Sequence, residues 1–352
     1  MLLAASMPAA AQQTKLLTAE KHNEYGLVYT LPVTALDIEV TAVREVKKAG
    51  QYYQYAKKYV GTDKVVKEDD ESWTIEKVKV RPYGIPDPDA RYLMQLKPGA
   101  LAYIGVDADG MLLSINTPPV VEEVEKTAPR PVEGEKIADR EYLQYVDEDF
   151  IASQSSAKQA QMLAENLMEI REAKTSLTRG TAETMPTDGK QLELMLNSLA
   201  HQEAALTAAF LGNTTRETVV RNFTYVPADN GREVVFRMSD FDGFVAANDY
   251  SGEPVYIDIE ITNEGTLPVD AKGEEKKMPK DAVAYCVPGA ANVSLTYQGK
   301  KLFNKEFEMS QFGIVFGLNP SVFSDRKEPS YAVFDPSTGA LKEIGPAKLA
   351  QE

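Results

Sequence analysis

Residues 160–180 read AQMLAENLMEIREAKTSLTRG, and the spacing of their apolar side chains decides the fold. Ala160, Leu163, Leu167, Ile170 and Leu177 step by three, four or seven, which makes one stripe along a long helix. Arg179 places a cation in the last turn, and Gly180 supplies a residue free to take the left-handed cap. A second helix is predicted from Asp188, whose carboxylate caps the first turn while Gln191 reaches back. Its stripe is Leu192, Met195, Leu196, Leu199, Leu206 and Phe210, and Gly212 ends it. Two such helices, each roughly 37 Å long at 1.5 Å per residue, are joined by a short Pro-containing loop. They should pack as an antiparallel hairpin over residues 151–215.

On both sides of this hairpin the period falls to two. Leu36, Ile38 and Val40 alternate with Asp37, Glu39 and Thr41, as in a half-buried strand, and Tyr92, Met94 and Leu96 repeat the pattern. Leu101 to Val106 and Met111 to Ile115 flank Asp109-Gly110, a hairpin turn signal because glycine tolerates positive φ. Between the first strands, residues 51–59 predict a short helix with Tyr52, Tyr55 and Tyr59 on one face, packed on the sheet beneath. After the hairpin, Val255, Ile257, Ile259 and Ile261 face one way and Tyr256, Asp258, Glu260 and Thr262 the other. Val293, Leu295 and Tyr297 continue that code before Gly299 turns into Phe303, Phe307 and Met309, and Pro336 and Gly339 mark a last hairpin.

The expected class is therefore α+β. It comprises an antiparallel β-rich domain over 12–118, a Pro- and Glu-rich linker and connecting segment over 119–150, the hairpin, and a sandwich-like β domain over 216–352.

Composition narrows the partners. Lys and Arg total 38 against 53 Asp and Glu, a net charge of −15, which argues against nucleic acid or anionic lipid. No apolar run after Gln12 approaches the roughly 20 residues a bilayer span needs. Cys286 is the lone cysteine, so no internal disulfide is available and stability must come from packing. Met1 to Ala11 is apolar, uncharged and ends with Ala9 and Ala11 in an A-x-A arrangement. It reads as the back half of a signal peptide over 1–11, so the expectation is export and a soluble extracytoplasmic protein starting near Gln12.

Candidate chemistry is sparse. Ser155 and Lys158 match the S-x-x-K of serine acyl-enzymes, but the partner motifs Lys-Thr-Gly and Ser-Asp-Asn are missing, and a serine at a helix start is an ordinary cap. Asp107, Asp109 and Gly110 look like the start of a calcium loop, yet strand residues follow where the remaining ligands should be. Asp240, Asp242 and Asp249 surround Phe241 and Phe244 and could serve a hydrolase only if the fold set two of them at a working separation. Cys286 reads as a core residue, and His22 and His201 are the only histidines. Asn213, Asn222 and Asn292 lie in N-x-S/T sequons. No catalytic, cofactor-binding or metal-ligating residue is assigned, and no cofactor is expected.

The stretches Glu24 to Pro32, Ala49 to Tyr59, Leu101 to Gly110 and Pro186 to Lys190 with Gln202 to Ala208 carry a resemblance. They are similar to a family of secreted proteins of about this length from anaerobic Gram-negative gut bacteria, grouped as a domain of unknown function. The resemblance implies a periplasmic or cell-surface location and brings no activity, cofactor or functional residue. The expected function is binding of a protein or glycan in the envelope without catalysis. The rivals are a carboxylate-based hydrolase using Asp240 and Asp242, or a structural component of an envelope assembly. The last would leave a hydrophobic strip of the hairpin uncovered.

Overall fold

The computed structural model describes residues 13–16, 26–95, 103–119, 130–279, 281–325 and 328–347. The expected signal segment 1–11, His22 and residues 120–129 of the expected linker lie outside them. The first half of the chain forms β1 (Gln13–Leu16), β2 (Leu27–Lys48), a short helix α1 (Ala56–Tyr59), β3 (Asp70–Gln95), β4 (Ile104–Val106) and β5 (Leu112–Ile115). β2 is long because its alternation is sustained, with Leu36, Ile38, Val40 and Ala42 all fully buried on one face. β3 runs through Pro82, Pro86 and Pro88, residues that a central strand would not accept. β1 covers only Tyr92 to Gln95, so along the prolines β3 is an edge, where a missing N–H costs little.

The helical middle consists of a 3₁₀ turn (Glu141–Tyr145), α2 (Glu148–Ala152), α3 (Ser156–Arg179) and α4 (Gly189–Leu211). Gly180 takes the left-handed cap of α3 at φ 71°, with its N–H on Leu177 O and the next N–H on Ser176 O. Asp188 caps α4 by accepting from Lys190 N–H. The reach-back from Gln191 is not among the bonds formed, so one half of the expected capping box is absent. α3 and α4 pack side by side as the hairpin.

The last part forms β6 (Asn213–Tyr225), β7 (Gly231–Ser239), β8 (Gly243–Val245), β9 (Glu253–Asn263), β10 (Val283–Tyr297), β11 (Lys300–Leu318), β12 (Ser330–Phe334) and β13 (Leu341–Pro346). These strands and those of the first half make three antiparallel sheets, ordered β1-β3-β2-β6, β11-β10-β9-β7-β8 and β13-β12-β5-β4. The chain is thus α+β, with a helical hairpin between β-rich regions.

Strand pairing crosses the boundaries drawn at 118 and 216. β6 pairs with β2 from Leu36–Tyr225 to Lys48–Asn213, and β12 pairs with β5. The main core forms where the two regions meet. Leu36, Ile38 and Val40 of β2 pack with Phe236, Val255, Ile257, Val293 and Leu295 of the five-stranded sheet. Each sheet has one apolar face, and burying that face against the other sheet is what makes the sandwich. A second core joins Tyr29 and Met94 to Leu112, Ile115, Tyr285, Phe316 and Phe334. There the buried Tyr29 hydroxyl accepts from Ala284 N–H and donates to Ala284 O.

Candidate functional site

The sequence candidates resolve one by one into structural roles. Ser155 is the N-cap of α3, its Oγ accepting from Lys158 N–H at 3.4 Å. The serine is thus bonded to that residue's backbone, as a cap should be. Asp107 Oδ1 accepts from the N–H groups of Asp109 and Met111, closing the β4–β5 turn around Gly110. Asp240, Asp242 and Asp249 are all exposed, in the turns after β7 and β8. Neither Asp240 nor Asp242 lines any of the cavities described below. Cys286 is 3% exposed, and burial pushes its thiol up to about 12, so no thiolate forms at neutral pH. Asn213 donates to Glu135 O, Asn222 to Asp37 and Asn292 to Asn304.

The tyrosine face departs from expectation. Residues 53–59 form a single 3₁₀ turn followed by α1, and the rings pack on the helices, not on the sheet. Tyr52 is buried edge-on against Tyr142 and Phe150 and lies beside Phe210. Its hydroxyl donates to Gln159, and the Tyr55 hydroxyl meets that of Ser156. The reason is local. Gly50 and Gly212 let the end of β2 approach the end of α4 so closely that a Cβ on Gly50 would lie 2.7 Å from Phe210 O. The tyrosines that follow Gly50 are delivered straight to the hairpin root.

This junction holds a half-open cavity of about 290 Å³. Its walls come from Lys48 and Gln51 after β2, Ile137 to Tyr142, Ala205, Ala208 and Ala209 of α4, and Asn213. The alanines sit three and four apart on one helix face, and their short side chains leave the space. Most polar groups around it are engaged. Lys48 pairs with Asp69 at 2.8 Å, and the Tyr142 hydroxyl donates to Gln51. Glu141 accepts from Ala138 N–H and from His201 Nε2, while His201 Nδ1 lies 2.7 Å from Glu135. The two carboxylates raise the His201 pKa above its ordinary value by hydrogen bonding to the ring. The Ala138 N–H and His201 hold Glu141 below the usual carboxylate range.

The far half of the hairpin is different. In α3 the buried residues are Ala160, Leu163, Ala164, Leu167 and Leu177, and in α4 they are Ala205, Leu206, Ala209 and Phe210. No residue of α4 before Ala205 is buried. Leu194 is 63% exposed, and Met185 and Met195 are exposed with it. Beside them runs an open groove of about 570 Å³ lined by Ala173, Leu177, Ala182, Met195 and Leu199. Arg171 and Lys174 of α3 clamp Glu203 of α4 at 2.8 and 3.0 Å, tying the two rods together where the aromatic root ends.

Leu194 was not part of the predicted stripe, and its signal was visible: a leucine on the polar face of an amphipathic helix. The root cavity had no such signal, since its walls come from four separate stretches. Among the described residues, no group of three or more His, Cys, Asp or Glu is placed to hold a metal ion. No helix among them is long and apolar enough to cross a membrane.

A search of curated proteins and a search of solved structures return no match. Residues 25–342 match the family model described as a domain of unknown function, DUF4831, and the chain belongs to that family.

Proposed function

We propose that this protein is an exported, non-catalytic contact protein of the cell envelope, and that the tip of its helical hairpin docks a protein partner. The observation that carries the reading is the exposed apolar surface of Leu194, Met195 and Met185 beside the groove. Exposed leucine and methionine on α4 and the loop before it suit an apolar protein face; a glycan would call for aromatic platforms and polar donors. Export rests on the small-residue, uncharged character of Met1 to Ala11. As a part of an envelope assembly, the chain would use the same surface.

The test is capture from envelope extract by the tagged protein and by a Leu194→Glu/Met195→Glu double variant. The expected result is a partner recovered reproducibly by the wild type and lost from the variant. Equal recovery by both, or none by the wild type at any salt concentration, overturns the reading.

A further inference from the structure

The cavity at the hairpin root is independent of the tip, and two of its wall residues stand out from the rest. Asp139 and Arg140 are adjacent in sequence and opposite in charge, and both line the cavity. Among the described residues neither side chain makes a hydrogen bond or a close ion pair, with Lys48 acting on Asp139 only at longer range, whereas Lys48, Glu141, Gln51 and Asn213 around them are all engaged. Arg140 also holds a left-handed backbone, φ 51° and ψ 30°, with no side-chain cap to offset it. Glycine would take that conformation more easily, so arginine at this position carries a backbone cost. The opposite wall is apolar and shallow, made by Ala205, Ala208 and Ala209.

We infer that this cavity binds a small zwitterion of amino-acid size. Its carboxylate faces Arg140, its ammonium faces Asp139, and its apolar part lies on the alanine face of α4. The volume of about 290 Å³ is at the small end of ligand sites and admits one such molecule. The uncommitted charges decide the class. A simple anion would leave Asp139 opposed to it, and a simple cation would meet Arg140, whereas a zwitterion pairs with both. The guanidinium offers a planar two-pronged match to a carboxylate, which no other group on the wall provides.

Titration calorimetry with free glycine, alanine and leucine, and with N-acetyl-leucine and leucinamide, tests this on the whole protein. The expected result is binding of at least one free amino acid. Masking either end should weaken that binding at least 10-fold, as should Arg140→Gln and Asp139→Asn. Ala208→Leu fills the space and should abolish binding. Because Arg140 and Asp139 are exposed, their variants should fold, which keeps the test sound if Ala208→Leu does not. Arg140→Gly should lose binding yet raise Tm, as expected where the side chain serves the ligand and its backbone is strained. The inference fails if no free amino acid binds at millimolar concentration, if masked and free ligands bind alike, or if Arg140→Gln binds as the wild type does.

Discussion

The two halves of the helical hairpin carry the same kind of apolar stripe, yet the root half buries most of its stripe and the tip half buries only Leu177 of α3. At the root, Phe210, Leu206 and Leu163 are wholly buried against Tyr52, Tyr142 and Phe150. At the tip, Leu192, Leu196 and Leu199 reach only partial burial, and Leu194 and Met195 face outward. Amphipathic period therefore says where a helix will seek cover and leaves open whether its own chain provides it. Side chains that the fold leaves uncovered are the ones free to serve a partner, and that difference can be tested directly.

The largest effect should come from Phe210→Ala. Removing a fully buried ring from the root cluster should cost about 3–5 kcal/mol in urea unfolding. Leu194→Ser at the tip should change stability by less than about 0.5 kcal/mol. If the tip substitution cost as much as a core deletion, the tip would be part of the fold and the contrast would collapse.

The two glycines that end the helices sharpen the comparison. Gly212, at φ 77°, closes α4 at the root, and a Cβ there would lie 2.4 Å from Lys48 O and 2.7 Å from Val66 Cβ. Gly180, at φ 71°, closes α3 at the tip, and a Cβ there would meet nothing within 4 Å. Gly180, at ψ 22°, is in the left-handed helical region, where alanine pays about 1 kcal/mol, whereas Gly212, at ψ −178°, is in a region open essentially to glycine alone, where the penalty is about 1–3 kcal/mol. Only Gly212→Ala adds a clash against main chain, which should bring its total to about 3 kcal/mol or more. Thermal melts of the two single variants measure the difference, and similar values would mean that β2 does not press on α4 as the fold requires.

This contrast also shows what the sequence could reveal. The helical stripe, the Gly180 cap and the alternation in Val255 to Ile259 were legible because each is a local period or a local turn. What a period cannot encode is its neighbour. Nothing in Thr218 to Tyr225 says that this strand adds to β2, nearly 180 residues earlier, in preference to the strands that follow it. Prolines such as those of β3 weigh against a long strand when read without a sheet, since their tolerance depends on an edge that only the sheet order defines. The root cavity was hidden for the same reason. Lys48, Asp139, Arg140 and Ala208 meet only after β2, the 3₁₀ turn and α4 have docked. The left-handed backbone at Arg140 carries no compositional mark, because glycine or asparagine is what normally signals it.

A modest, pH-dependent effect concerns how the root wall is fastened. His201 on α4 bonds to Glu135 and Glu141 through both ring nitrogens, so it ties the segment that carries Asp139 and Arg140 to the helix that carries the alanines. A ring that faces two carboxylates holds its proton more firmly in the folded chain than in the unfolded one, raising its pKa from the ordinary 6.5. The sign follows from that. The clamp's contribution is fully present below the unfolded value and is lost as the pH climbs through the folded one. Since the ring is partly exposed, water screens the pair and the gain should be about 1 kcal/mol or less. His201→Gln should therefore lower Tm relative to the wild type near pH 6 and approach it near pH 9. Hydrogen exchange at residues 135–142 should quicken over the same range, because the segment loses its tie while the aromatic root stays packed. A Tm difference that stays constant between pH 6 and 9 would show His201 to be a packed ring and not a charged clamp. The cavity wall would then owe its position to contacts that do not titrate, such as Tyr142 in the root cluster and the Asn213 bond to Glu135 O.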